Sequence, residues 1–208
     1  MHCGVPVRWY DNVPVLSYVV LRGRCRSCGV RIGWQYPLVE LTTAALLVAC
    51  LFAFGLSARA AVAGFFCAVL VAISAIDFEH RIVPNRIVVP AAAIVLVAQT
   101  AIRPSPECVI AALGAASFLF VAVLAYPKGM GMGDVKLALL LGAALGRTVP
   151  VGLMVGMLSA LLPALVLFAR HGAAARKQAI PFAPFLALGG IVALFAGEPL
   201  LEAYLSLR

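Results

Sequence analysis

Gly129-Met-Gly-Met-Gly-Asp-Val-Lys-Leu-Ala-Leu-Leu-Leu-Gly-Ala-Ala-Leu145 is the stretch on which the fold turns. Its apolar part, 135–145, is well short of the roughly 20 residues a helix needs to cross a hydrocarbon core, although shorter segments serve when packed inside a bundle. Counted as a helix, it brings the apolar segments to seven: 37–56, 60–76, 87–102, 109–126, 135–145, 149–169 and 182–196. Left out, it would invert every later loop across the membrane. The residues before it, Gly131-Met-Gly-Asp134, put a carboxylate at the edge of an apolar segment in a chain with only 8 acidic residues.

Composition supports a membrane bundle. Hydrophobic residues make up 64% of the 208, charged residues 12%, and the mean hydropathy is +1.07, far from the balance of a soluble domain. Strand-type alternation is absent, and Ala, Leu and Val fill the segments with Gly and Pro interspersed. We therefore expect an all-α polytopic transmembrane helix bundle in residues 37–208, preceded by a small cysteine-bearing segment over 1–36. The net charge of +8 is spread between apolar segments rather than gathered on one polar domain, which argues against nucleic-acid binding. Gly152 and Gly156 have the spacing of ordinary small-residue helix packing.

Basic residues orient the bundle, because short cytoplasmic loops retain Lys and Arg. With a cytoplasmic amino terminus, that side receives Arg8, Arg22, Arg24, Arg26, Arg31, Arg81, Arg86, Lys128, Lys136, Arg170, Arg176 and Lys177. The other side keeps only Arg59, Arg103, Arg147 and Arg208. Asp77, ending the second segment, and Asp134, opening the fifth, then share one face and one depth. Ionisable groups at membrane depth are costly and point to function. Two carboxylates brought close together can share a proton, one activating water while the other protonates the substrate. Gly129, Gly131 and Gly133 leave backbone open beside Asp134, and Pro84-Asn85 breaks the chain after Asp77. A phosphate loop is excluded, since no Gly-Lys-Ser/Thr ending and no preceding strand is present. Lys136 fits three readings: tuning the aspartate, binding a headgroup, or marking a cytoplasmic boundary.

A second constellation lies at the amino terminus. Cys25-Arg-Ser-Cys28 has the two-residue spacing with which two thiolates grip zinc, and Cys3 is a candidate third ligand. His2 is a poorer fourth, because adjacent residues rarely ligate together. The alternative is a reduced thiol pair without metal. Cys50, Cys67 and Cys108 read as small hydrophobes in or beside the spans.

Taken together, these residues resemble the bacterial type IV prepilin peptidases, membrane aspartyl proteases, over nearly the whole chain. The segments from Arg8 to Tyr18, Leu21 to Cys28 and Tyr36 to Leu41 look like that family's cytoplasmic zinc-bearing domain and the start of its membrane part. Asp77 with Pro84 and Asn85, and Gly131, Gly133 and Asp134 with Lys136, look like its two catalytic motifs. Ile180 to Leu186 resembles its Pro-Phe-Gly-Pro segment, with Ala183 where glycine is usual.

The resemblance implies a dyad of Asp77 and Asp134. It also implies cleavage of the basic leader from type IV pilin-like or type II secretion pseudopilin precursors, at a glycine before the mature apolar helix. The setting would be the cytoplasmic face of the bacterial inner membrane. Zinc would be held by Cys3, Cys25 and Cys28. The family normally begins with another helix and two Cys-x-x-Cys pairs, of which Cys3 would complete the first, so a truncation, a misplaced start or a natural short form is expected. Methylation of the new amino terminus with S-adenosylmethionine, associated in part with that earlier region, is left open. A polytopic transporter or scaffold is the rival class, but no inverted repeat is visible. Presenilin-like proteases share Gly-x-Gly-Asp but pair it with Tyr-Asp, whereas Ile76 precedes Asp77 here.

Overall fold

The fold is that of a computed structural model, described for residues 4–126, 130–172 and 181–206. The chain begins with a 3-10 turn at Trp9–Asn12, helix α1 (Leu16–Val20) and a small hairpin bridged between Arg24 and Arg31. Among the described residues seven apolar helices follow: α2 (Gln35–Phe54), α3 (Ala58–His80), α4 (Asn85–Ile102), α5 (Glu107–Ala125), α6 (Met132–Leu145), α7 (Val149–His171) and α8 (Ala183–Ser206). By length and composition, six apolar stretches among the described residues could cross a membrane, α6 and α7 counting together as the 39 residues Met132–Arg170.

Within that stretch the chain reverses at Gly146, whose φ of +56° favours glycine. Asp134 begins α6 beside the α3–α4 link, while α7 descends antiparallel to α8, Gly152 lying level with Gly189 and Ala193 and Gly156 level with Leu186. The short fifth segment is therefore a separate helix, and the count of seven holds among the described residues. The last helix runs ten residues past the expected 196, carrying Pro199 within it. An interior proline removes only one hydrogen bond, and the helix continues through Leu200, Leu201 and Tyr204.

Helix α6 is short because it is central. At 14 residues it is about 21 Å long, but α4, α5, α7 and α8 surround it, and its residues from Leu137 to Ala144 are mostly inaccessible. Such a helix is apolar on every side rather than amphipathic. It packs with Phe66, Leu70 and Ile73 of α3, Val88 and Val95 of α4, and Leu186 of α8 in one core. By contrast α2 lies at the periphery and buries only Cys50, whose thiol meets Cys67 of α3 at 3.9 Å.

Close approach depends on missing side chains at a few positions. A Cβ on Gly142 would overlap the Ala111 carbonyl and the Ala112 backbone of α5, and one on Gly189 would run into Gly156 of α7. The Gly152 and Gly156 pair is thus small-residue packing, as its spacing suggested. Replacing Gly142 with Val should destabilise the bundle by about 1–3 kcal/mol, the usual cost of overpacking. Thermal unfolding in detergent would show this as a lowered midpoint. Gly114→Val is the control, because its added carbon meets nothing within 4 Å, and its midpoint should not fall.

Candidate active site

Four helix ends converge at one end of the bundle. Helix α3 delivers Asp77 in its last full turn and stops at Arg81, which adopts a left-handed conformation with its N–H donating to the Asp77 carbonyl at 2.9 Å. Pro84 then caps α4, accepting from Ile87 N at 3.0 Å and Val88 N at 3.1 Å, with Asn85 the first helical residue. Helix α6 opens with Gly131 as its cap and Asp134 in its first turn. Helix α8 opens at Ala183.

Both carboxylates are buried, Asp77 5% and Asp134 8% exposed, and they lie within electrostatic reach of each other. Each is held by a peptide N–H at a helix start. Ala183 N donates to Asp77 Oδ2 at 3.2 Å, across 106 residues of sequence. Gly131 N donates to Asp134 Oδ2 at 3.2 Å, while Asp134 N donates back to the Gly131 carbonyl at 3.1 Å. These donors are among the amides that a helix leaves without intrahelical partners, and the positive end of the helix dipole favours an anion there. Among the described residues no inaccessible side-chain oxygen lacks a partner. The other oxygen of each carboxyl, which accepts no hydrogen bond from a described residue, therefore reaches accessible space.

The remaining motif residues frame this pair. Gly133 lies against the α3–α4 link so closely that an added Cβ would sit 2.8 Å from Val83 Cβ. Lys136 Nζ donates to Asn85 Oδ1 at 2.7 Å, so it bonds to the motif that carries Asp77 rather than to either aspartate. That bond joins α6 to the start of α4. Gly129 and Lys128 lie outside the described residues. Two participants, the Ala183 amide and Val83, carry no chemical signature in sequence. Only the oddity of Pro-Phe-Ala-Pro at a helix start hints at the first.

The amino-terminal segment forms a separate arrangement. Cys25 N donates to Val30 O and Gly29 N donates to Cys25 O, both at 2.9 Å, so Cys25 and Cys28 flank a tight turn permitted by Gly29 at φ +68°. Cys3 and His2 lie outside the described residues. Arg26 forks onto Asp11, with Nε–Oδ2 2.8 Å and Nη2–Oδ1 2.7 Å, and the guanidinium holds the Asp11 carboxyl below its ordinary range. Val15 N donates to Glu40 Oε2 at 2.8 Å, which ties the segment to α2.

The contact between Gly133 and Val83 generates a direct test. Gly133→Ala should lower the thermal midpoint by an amount equivalent to about 1–3 kcal/mol, and adding Val83→Gly should restore most of it. Independent, additive losses would show that the two positions do not touch.

Comparison with known proteins identifies what kind of chain this is. Residues 1–54 match the Bacterial Peptidase A24 N-terminal domain, and residues 64–196 match the Type IV leader peptidase family. Proteins named prepilin leader peptidase/N-methyltransferase are similar along most of the chain. One from Burkholderia pseudomallei strain 1026b is 37% identical over 95% of this chain and 66% of its own length. One from Xanthomonas campestris pv. campestris is 36% identical over 97% and 73%, and one from Bacillus subtilis strain 168 is 36% identical over 95% and 80%. The chain thus spans a little under two thirds of the length of the Burkholderia relatives. No solved structure gives a significant match. With the family match covering residues 64–196 and the convergent helix ends lying inside it, the chain belongs to the type IV leader peptidase family.

Proposed function

We propose that this chain is a membrane aspartyl endopeptidase that removes the leader from type IV prepilin or type II secretion pseudopilin precursors at the cytoplasmic face of the bacterial inner membrane. The observation that carries this reading is the pairing of Asp77 and Asp134 at one bundle end, each held through one oxygen and open through the other. In the proposed reaction one carboxylate takes a proton from water as the water oxygen bonds to the scissile carbonyl carbon. The other carboxyl gives its proton to the departing nitrogen as the carbon–nitrogen bond breaks. A pair sharing one proton supplies both roles at once. The Ala183 and Gly131 amides keep the two carboxyls oriented, and the buried α6 behind them limits water. An apolar precursor helix lying in the same bilayer meets this site without leaving the membrane, its basic leader on the positive side.

Zinc is proposed for the amino-terminal segment. The thiols of Cys25 and Cys28 flank a turn of the kind that presents two sulfurs to one ion, a fit of donor chemistry and spacing, and Cys3 would add a third. Zinc would supply a structural cross-link there, with no part in peptide cleavage. Methylation, the second activity in the relatives' names, is assigned no residue.

Co-expression with a pilin-like precursor tests the dyad. Asp77→Ala and Asp134→Ala should each lower leader removal by at least about 100-fold, the scale of general acid–base catalysis, with thermal midpoints kept near the parent's. Full processing by either variant would sink the pair. For the metal, Cys25→Ser with Cys28→Ser should lower zinc content measured on the purified full chain. Unchanged content would remove zinc from the segment.

A further inference from the structure

The amino-terminal segment carries an apolar face that the proposed peptidase reaction does not use. Helix α1 is only five residues long, and its side chains divide by face. Ser17 and Tyr18 turn inward, Ser17 Oγ donating to the Tyr10 carbonyl and the Tyr18 hydroxyl to the Ile32 carbonyl, each at 3.3 Å. Leu16, Val19 and Val20, spaced as neighbours on the other face, are 59%, 65% and 64% exposed. An apolar face left open in this way marks an interaction surface.

The fold determines what lies against it. Val15 N donates to Glu40 Oε2 at 2.8 Å, and helix side chains lean toward the helix N-terminus, so α1 starts beside the first two turns of α2. Leu38 and Leu41 on those turns are themselves exposed. Helix α3 gives their depth. Cys50 of α2 meets Cys67 of α3 at 3.9 Å; ten residues, about 15 Å, lead back from Cys50 to Glu40, and ten lead on from Cys67 to Asp77. The start of α1 therefore stands near the level of Asp77, at the edge of the apolar segments, and its open face continues that of α2.

Charge in the segment is layered to match. Arg22, Arg24 and Arg31 belong to the exposed hairpin that precedes α2. Arg24 and Arg31 sit opposite each other across its antiparallel bridge, a pairing that is unfavourable for like charges and that an anion between them relieves. The carboxylates that touch the segment are already engaged: Asp11 binds Arg26 and also feels Arg8, and Glu40 accepts the Val15 amide. Among the described residues Arg22, Arg24 and Arg31 make no ion pair. Trp9, Trp34 and Tyr36 are exposed too, rings of the kind that favour the membrane–water boundary.

We propose that this segment docks on the leaflet at the aspartate end. Leu16, Val19 and Val20 lie in the boundary between headgroups and acyl chains, and Arg22, Arg24 and Arg31 engage anionic phospholipid headgroups. The level of α1 beside exposed turns of α2 favours lipid over a soluble protein, which reaches only what stands above the headgroups. The docking rests on the bundle lying in a bilayer and is independent of peptide cleavage.

Tryptophan emission tests it, because the chain has two tryptophans, Trp9 and Trp34, both in this segment. In the full chain carrying Trp9→Phe and Trp34→Phe, Val19→Trp becomes the single emitter; Leu16→Trp on the same face replaces it should Val19→Trp fail to fold. In vesicles whose phospholipid is brominated near the headgroup end of its acyl chains, emission should fall by about half or more, as expected for an apolar face buried some 5–10 Å into that boundary. No quenching by the bromolipid would overturn the docking: quenching by aqueous acrylamide would then place the face in water, and protection from both quenchers would assign it to a second copy or another part of the chain. In phosphatidylcholine vesicles with a minor brominated component, brominated phosphatidylglycerol should quench as if locally enriched at least about fivefold over brominated phosphatidylcholine, the scale of one basic side chain near an anionic headgroup. Arg22→Gln, Arg24→Gln and Arg31→Gln together should erase that difference. Equal quenching by the two lipids in the chain with its arginines, or a difference that survives the triple substitution, would overturn the role of the arginines.

Discussion

A carboxylate taken out of water needs a compensating donor, and here the donors are peptide N–H groups at helix starts. Asp77 and Asp134 are both nearly inaccessible, and each accepts one such bond, from Ala183 and Gly131. An unpartnered buried charge is among the costliest features a fold can carry. The requirement therefore ties the start of α8 to the end of α3, and shapes the start of α6 around its own aspartate. The end of α3 and the start of α8, far apart in sequence, meet where Asp77 accepts from Ala183, while Asp134 is satisfied within its own helix start.

Everything around that meeting point works by close approach. Gly133 lets the first turn of α6 lie on Val83, Gly142 lets the same helix lie on the α5 backbone, and Gly156 and Gly189 let α7 and α8 touch. Within a bilayer, lipid tails are as apolar as leucine, so tight packing of small residues replaces the hydrophobic drive that holds a soluble core. The bond from Lys136 to Asn85 adds a polar cross-link between α6 and α4 at the same end. A short helix surrounded by others can thus be rigid without spanning the full hydrocarbon thickness.

Much of this was legible in the residues. Long apolar runs gave the helices, since nothing else satisfies a backbone in lipid, and the isolated acids at their edges stood out against so few charges. The end of α8 was missed because proline usually marks a stop, and Pro199 does not stop this helix. Lys136 could not be assigned one role, because its partner Asn85 lies 51 residues away and any boundary lysine looks alike in sequence. The Ala183 amide was invisible for a deeper reason: every residue but proline carries that group, and only the fold decides where it points.

The central claim is that Asp77 and Asp134 act as one unit. Groups that act together lose their effect together, so removing the second after the first costs little more. Leader cleavage should be measured for Asp77→Asn, Asp134→Asn and the double variant, each nearly isosteric with the parent. The account predicts that the double variant is no slower than the slower single one. Losses that multiply, or a single variant that keeps parental activity, would contradict it.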